Sequence, residues 1–536
     1  MKAKYYIAKF KNYENSALIE EWGLSDIDGK SYHNGDGIEA FMEFVESLGT
    51  VTVYMHGLKT DGVAIMDYLL REKYIYTSSI SGGLLPGFFS TLITEDGDVF
   101  SITEAHPRGT TMFKDSTKLT SADETELRKA FRLDIKSEGL EKDVRTVASV
   151  LKILQAQGLK KSTAASCAMS DYKKRCGGSK AFRELFPEIG LDCDNDLRKT
   201  YRGGWCFVNP IHAGKPTKPG TIVDCNGLYS YIQRDFPLPY GVPEYFTGRG
   251  EACHERPLFI QHLRASFILK PGALPWIQIK YDYRYDPNSY IYMSSGLTDL
   301  YLTSPELELL AETYDVSEVE YIDGWSFKAS ADMFKGYVDY WQGVKTESTK
   351  QGNGALRQVA KIMLNALGGR FGLKMTRATK RPVLTKQGLR YKLNEADTNP
   401  GVYLPVIIFI TAYGRVHTVR KAISCGSRFL YSDTDSVAFV GKDVPECFKV
   451  DKYELGAWKV CADFSSAIFC HAKCYIYEDA DGVNVKISGM PDYMHEQVTF
   501  ENFRPGAVYE HKLVPEKVPG GVIFRETTFK ISDSFI

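Results

Sequence analysis

The sequence predicts a multidomain α+β protein, and three features carry that prediction. Its 536 residues, at ~100–200 per domain, allow roughly three to five domains, and 43% hydrophobic content is enough for several packed cores. Strand-like segments (YYIAKF, TVTVYMH, GDVFSITEA) mix with helical stretches at 38–48 and 62–73 through about residue 155, which predicts an N-terminal α/β domain. A longer α+β body follows, with short strands around GTIVDCN, RFLYSDTDSVAFV and CYIYED. A 13% aromatic share leaves little room for disorder, and no fixed-period repeat appears.

Sixty-six Lys and Arg against 67 Asp and Glu, a net charge of −1, exclude a histone-like or tail-driven nucleic-acid binder, so any polyanion site is local. Residues 160–180 carry six basic residues and one acid among Ser, Gly and Ala, and read as a basic connector between modules. The opening MKAKYYIAKFK has no long apolar run behind its charges. No stretch approaches the ~18 apolar residues of a membrane span, so a soluble, unexported protein without a membrane partner is expected. Eleven cysteines, scattered from Cys167 to Cys474 without a Cys-x-x-Cys pair, fit a reducing cytoplasm. Cys470, His471 and Cys474 have partly metal-like spacing but no second ligand pair, and read as structural.

The densest chemistry lies in YSDTDS at 431–436, flanked by the apolar runs RFL and VAFV. Two strands joined by a tight turn put Asp433 and Asp435 at its tip. Asp224 ends a further apolar strand, TIVD, before NGLYSYIQRDF turns into a helix. Three acids at strand ends supply the hard oxygen ligands that a pair of Mg²⁺ ions needs, although DTD by itself is a common turn. From 355 to 367, ALRQVAKIMLNAL has helical periodicity, with Arg357, Lys361 and Asn365 every four residues on one face. Lys350 joins that face if the helix starts early enough, which Gly352 and Gly354 oppose. Cations stacked beside metal-binding acids suit a triphosphate, whereas spaced charges elsewhere are usually a solvated face.

These segments carry a resemblance. DCNGLYS at 224–230, KIMLNALGG at 361–369 and YSDTDS resemble, in this order, the three polymerase motifs of family B DNA polymerases. Their spacing, with YRGG at 201–204 and KCY at 473–475, resembles the protein-primed branch found in small bacteriophages with linear genomes. The similarity continues through SSGLTDLYLTSPELELL, FKASADMFKGYVDYW, VTFENF and VPGGV, over nearly the whole chain.

The resemblance implies a right-hand polymerase of palm, fingers and thumb, with two insertions and an N-terminal RNase H-like α/β exonuclease-type domain. It divides the chain into an exonuclease-like domain with its basic connector (1–188), palm (189–239 and 405–500), first and second terminal-protein regions (240–333 and 375–404), fingers (334–374) and thumb (501–536). Asp224 and Asp435 would bind two Mg²⁺, or Mn²⁺ in their place, with Asp433 in support. Tyr229 would exclude a 2′-hydroxyl, Arg357 and Lys361 would hold the deoxynucleoside triphosphate, and Asn365 would lie near the nascent pair. Tyr201, Arg202, Gly203 and Gly204 would contact template, and Lys473 and Tyr475 the primer end. The implied partners are template and primer DNA and a terminal protein whose hydroxyl side chain starts synthesis. The implied state is a monomer or a heterodimer with that protein, in the host cytoplasm. In the second insertion, TRATKRPVLTKQGLRYKLNE reads as a hairpin. Seven basic residues and no acid from Lys374 to Lys392, including Lys380, Arg381, Lys386 and Arg390, suit phosphates.

Two departures from the family pattern stand out. Where the exonuclease strand has an Asp-x-Glu pair, this chain has Lys9 and Lys11, and ammonium groups repel Mg²⁺. Asp61 in HGLKTDG and Asp143 remain, with Gly139 in place of a tyrosine, so proofreading is expected to be absent. Asp26 and Asp28 form another D-x-D pair, in what reads as a turn. In KIMLNALGG, Gly368 replaces a tyrosine set against the nascent pair, which implies weaker base discrimination. The functions that compete with protein-primed replication are self-priming or repair and translesion synthesis, and a non-catalytic factor that binds DNA or the terminal protein.

Overall fold

The computed structural model describes residues 4–78, 83–278, 280–281, 284–285, 289–398 and 403–533. The N-terminal part is built on a ten-stranded sheet whose centre is three parallel strands, Lys4–Asn12, Val51–Met55 and Gly109–Asp115. A strand at such a centre is covered on both faces and must be apolar on both. Ile7 joins Val147 and Leu151 of the helix Gly139–Ala156, while Ala8 and Phe10 join Phe41 and Ile65 of the opposite layer. Lys9 shares the face of Ile7, and so points toward the helix that carries Asp143.

This sheet does not end with the N-terminal part. The hairpin Thr379–Thr385 and Gly388–Leu393 adds to its edge, with Thr379 opposite Thr94 and Lys380 opposite Ile93. Immediately past its turn, Gly388 at φ +91° lies so close to the C-terminal hairpin that a Cβ would fall 2.5 Å from Val518. The second insertion therefore bridges the N-terminal sheet and the C-terminal hairpin Val508–Val518 and Gly521–Lys530.

The basic segment at 160–180, read from its composition as a connector, is largely helical. Ala164–Arg175 is a helix, capped by Thr163, whose Oγ1 accepts from Ser166 N at 3.1 Å. Tyr172 stacks on Phe334 at 4.8 Å and meets Tyr337 edge-on, and Lys173, Lys174 and Arg175 sit at the favourable C-terminal end of the helix. Its apolar residues are few, so the helix depends on neighbours that the local sequence does not display.

Lys335–Lys350 and Gly354–Phe371 form a helical hairpin, with Asn353 capping the second helix through Leu356 N at 3.0 Å and Tyr337 donating to Met363 O at 2.7 Å. Lys350 ends the first helix and does not precede Arg357 on the second. Beside the hairpin lies a five-stranded antiparallel sheet in the order Trp458–Phe464, Gly220–Cys225, Ser436–Val440, Phe429–Asp433, Cys206–Val208. The helix Pro405–Ser424, apolar nearly all round, packs against it and is buried. Residues 238–330 form a separate four-stranded sheet with the helix Ser304–Thr313. Cys470 and Cys474 are fully buried with Ile468, Ile476 and Met494. Among the described residues no helix is long and apolar enough to cross a membrane.

One buried carboxylate joins these parts. Glu306, fully buried, accepts from Thr303 N at 3.0 Å and from Arg415 Nη2 at 2.7 Å, and pairs with Arg202 at 3.4 Å. Burial alone would raise its pKa, but Arg415 and Arg202 outweigh it and hold the group down at about 2. Arg415 also donates to the carbonyls of Arg202 at 2.9 Å and Gly203 at 2.7 Å. Glu306→Gln leaves two buried guanidinium groups without their anion and should destabilise the fold by about 3–5 kcal/mol. Chemical unfolding monitored by tryptophan fluorescence checks this, and an unchanged midpoint would refute it.

Candidate active site

Three strands of the antiparallel sheet bring the predicted acids together. Asp224 lies opposite Ser436 on one side and Lys459 on the other, and Cys225 N donates to Asp435 O at 2.8 Å. Thr434 and Asp435 form the two-residue turn between the paired Asp433 and Ser436. Thr434 has φ +58°, an unfavourable conformation for a β-branched residue, and its surroundings enforce it. Its N–H donates to Trp205 O at 2.8 Å and its carbonyl accepts from Thr418 Oγ1 at 2.8 Å. Its side chain lies where a Cβ on Gly204 would clash at 2.6 Å, so a glycine is required there.

The carboxylates have distinct surroundings. Asp433 accepts from Cys206 Sγ at 3.0 Å and Thr434 Oγ1 at 3.2 Å. Burial and then Asp433 push the Cys206 thiol up to about 12, which keeps it a donor. Burial, then the negative charge of Asp224, push Asp435 up to about 6. Asp224 is ion-paired with Lys459. With Asp224 and Asp433 each turned to a partner, no three His, Cys, Asp or Glu side chains among the described residues are grouped as ligands of one ion. The donor set nevertheless fits divalent cations. It offers only hard oxygens, burial and then the charge of Asp224 make an ionised Asp435 costly without a cation, and a lysine ammonium has already been drawn onto Asp224.

Arg357, Lys361 and Asn365 form the exposed face of the helix Gly354–Phe371, and Gly368, two turns beyond Lys361, is buried where that face meets its neighbours, so that a Cβ would lie 3.4 Å from Gln233 and Ile407. Lys345, from the preceding helix, joins the cations. Burial and the charges of Arg357, Lys459 and Lys361 hold it below the usual lysine range, with Asp224 opposing them. Tyr229 packs on the helix Pro405–Ser424 at Gly414, where a Cβ would come within 3.1 Å of its ring. Burial raises its phenol well above the usual range.

Of the YRGG residues, Tyr201 lies against Gly372 beyond the long helix, and Gly203 has open space beside its Cα. Arg202, expected on DNA, is instead inside the protein at 5% exposure, held by Glu306 and donating to Tyr301 O at 3.2 Å. It positions the loop from within. Lys473 is exposed on a turn at φ +57°, its N–H donating to Tyr431 OH at 2.9 Å. The Tyr475 ring lies 5.1 Å from that of Tyr431. On the hairpin, Arg381, Lys386 and Arg390 are exposed and Lys380 is half-buried, and Arg390 also donates to Lys517 O at 3.3 Å. Between the N-terminal sheet and the long helix runs a cleft of about 1160 Å³ lined by Lys118, Arg370, Lys374 and Arg377, with Asp96, Asp123 and Glu124 also on its walls.

The N-terminal acids present the opposite case. Lys9 Nζ donates to Glu124 at 2.6 Å and Asp143 at 2.8 Å, and Arg128 Nη1 donates to Asp143 at 3.0 Å. Burial alone would raise Asp143, but these cations outweigh it and hold it below the usual carboxylate range. Asp61 is pushed up to about 7 by burial, against the pull of Lys9. Lys11, expected beside Lys9 in this site, is exposed and pairs with Glu20 at 2.9 Å. Among the described residues nothing lies within 4 Å of where a Cβ on Gly139 would stand. Asp26 is committed to its own turn through Ser31 N at 2.6 Å and Asp28 N at 2.8 Å.

A sheet bearing acids at its strand ends, faced by a cationic helical hairpin and flanked by a C-terminal hairpin and an N-terminal α/β sheet, is a right-hand polymerase fold. The chain belongs to the DNA polymerases of type B, organellar and viral, whose family pattern matches residues 137–452. It is 32% identical to the DNA polymerase of Bacillus phage phi29, over 97% of this chain and 98% of that protein. Identity to the DNA polymerase of Streptococcus phage Cp-1 is 30%, over 90% and 88% of the two chains. It superposes on phi29 DNA polymerase complexed with primer–template DNA with a TM-score of 0.92, at 31% identity, covering 99% of this chain and all of the other.

Sequence reasoning did not identify Lys459, Lys345, Cys206 or the Glu306–Arg415 pair. Lys459 and Cys206 reach the acids through strand register, and Lys345 through a helix break at 351–353 that Gly352 and Gly354 did signal.

Proposed function

We propose that this chain is a DNA-directed DNA polymerase that copies a linear phage-type genome from a protein primer, displaces the non-template strand and lacks 3′–5′ proofreading. The observation that carries the reading is the meeting of Asp224, at a strand end, with Asp435, in the turn before the adjacent strand, beside four cations, Lys345, Arg357, Lys361 and Lys459. Phi29 DNA polymerase, solved with primer–template DNA and incoming nucleotides, supports the same substrates here.

Asp224 and Asp435, supported by Asp433, would hold two Mg²⁺, or Mn²⁺, which supply activation of the primer 3′-hydroxyl and neutralise the leaving pyrophosphate. The chain itself supplies position and charge, the main demands of phosphoryl chemistry. Lys345, Arg357 and Lys361 bind the triphosphate. Asn365 lies near the nascent pair, and the ring of Tyr229 fills the space a 2′-hydroxyl would need. Gly203 gives the template backbone close access, Tyr201 flanks it, and Lys473 and Tyr475 steady the primer end. The cationic cleft and the hairpin residues Lys380, Arg381, Lys386 and Arg390 guide template and separate strands. The sheet of residues 238–330 grips the terminal protein, and the enzyme works in the host cytoplasm as a monomer or with that protein.

Lys9 replaces a metal in the N-terminal site by neutralising Asp143 directly, which supports the loss of proofreading. The gathering of Asp224, Asp433 and Asp435 at one edge of the sheet disfavours a non-catalytic DNA-binding role, because carboxylates repel phosphate unless a metal joins them. Primer extension on a gapped template with Mg²⁺, with and without a candidate terminal protein, tests the whole reading. Extension through the gap, loss of extension in Asp435→Ala and no shortening of the 3′ end are expected, and an inactive parent chain or a degraded 3′ end contradicts it. Gly368 leaves the nascent pair without an aromatic neighbour, so Gly368→Tyr should lower the misincorporation frequency. An unchanged frequency in the same assay would remove Gly368 from the account of fidelity.

A further inference from the structure

Lys459 is the residue of the active site that polymerase chemistry does not call for. Its place is set by the sheet. Along the pairing of Gly220–Cys225 with Trp458–Phe464, Gly220 faces Phe464, Thr221 faces Asp463 and Ile222 faces Ala462, but Val223 then faces Val460. The extra residue, Cys461, makes a β-bulge that shifts the remaining pairs by one. Without it Val460 would stand opposite Asp224, and with it Lys459 does. The pairing is anchored just beyond, where Cys225 faces Trp458 and Asn226 N donates to Ala457 O at 2.8 Å. The root of Lys459 is therefore fixed, while its side chain keeps 40% exposure and four rotatable bonds.

A resident ammonium on a metal-binding carboxylate competes with the metal, since it occupies Oδ1 of Asp224, neutralises the charge that attracts the metal and repels the incoming cation. It also has somewhere to go. Lys345, Arg357 and Lys361 mark the place where a triphosphate binds, and Lys459 is close enough to Lys345 to repel it. We propose that Lys459 is an exchangeable counter-ion of the active site. It holds Asp224 while no nucleotide is bound, weakening divalent-metal binding to the empty enzyme, and turns to the phosphates when a nucleotide arrives, releasing Asp224 to the metal. Lys459 thus makes metal binding at Asp224 conditional on nucleotide. The proposal rests on the polymerase reading above, and Lys459 acts in it as a positioning residue for Asp224.

Mn²⁺ binding to the full chain, followed by the electron paramagnetic resonance signal of free Mn²⁺, tests it without turnover. The site is defined as the binding lost in Asp224→Asn. Without nucleotide, Lys459→Met should bind Mn²⁺ there about tenfold more tightly than the parent, and Lys459→Arg should bind as the parent does. Adding a non-hydrolysable deoxynucleoside triphosphate should tighten Mn²⁺ in the parent, and much less in Lys459→Met. In the Asp224→Asn background the Met substitution should change nothing. Thermal unfolding establishes that each variant is folded. An affinity of Lys459→Met within twofold of the parent overturns the counter-ion role while leaving the metal site intact. Absence of any Asp224-dependent Mn²⁺ binding overturns the metal-site reading, and this proposal with it.

Discussion

The active site is organised by the placing of two carboxylates, Asp224 at a strand end and Asp435 in the turn that leads into the adjacent strand, in a half-buried setting. Neither strand can move without breaking the sheet, so the charges cannot separate, and burial together with the charge of Asp224 drives Asp435 up to about 6. The elements around them supply compensation. The helical hairpin brings Lys345, Arg357 and Lys361, and the register of the outer strand brings Lys459. Further out, Arg415, held by Glu306, donates to the carbonyls of Arg202 and Gly203, Gly204 packs on Thr434, and the strained turn keeps Asp435 in place. Stability is given up locally so that cations, and the anions they accompany, are drawn in.

The N-terminal site shows the same physics with the opposite outcome. There Lys9 and Arg128 share the charge of Asp143, whose pKa falls, while burial pushes Asp61 up to about 7. The contrast lies in where the lysine is rooted. Lys9 enters from the central strand of a doubly covered sheet and is enclosed between Glu124 and Asp143, whereas Lys459 stands at a strand end with its side chain partly in solvent. One lysine has become part of the fold and the other remains able to leave.

What the sequence disclosed was local. The acids at strand ends, the cationic helix face and the hairpin around Lys386 are patterns complete within a few residues, and the structure forms the corresponding strands, helix and hairpin. What it withheld was non-local. Arg202 is buried by Glu306, about a hundred residues away, and Lys380 joins a sheet begun near residue 4. A one-residue bulge decides that Lys459, and not Val460, faces Asp224. The helix Ala164–Arg175 looked like a linker because its stabilising aromatic partners, Phe334 and Tyr337, belong to another segment.

The penalty that burial and the charge of Asp224 place on an ionised Asp435 can be measured directly. A carboxylate whose folded pKa stands above its unfolded value costs stability as pH rises from near 4 through about 6, and the full cost is present above that. Thermal unfolding of the parent and of Asp435→Asn, in a chelator at pH 8 and pH 5, isolates this cost. The account predicts that Asp435→Asn melts higher than the parent at pH 8 and that the gain shrinks at pH 5, where the parent carboxyl is itself largely protonated. An Asp435→Asn protein that melts at or below the parent at pH 8 would contradict it.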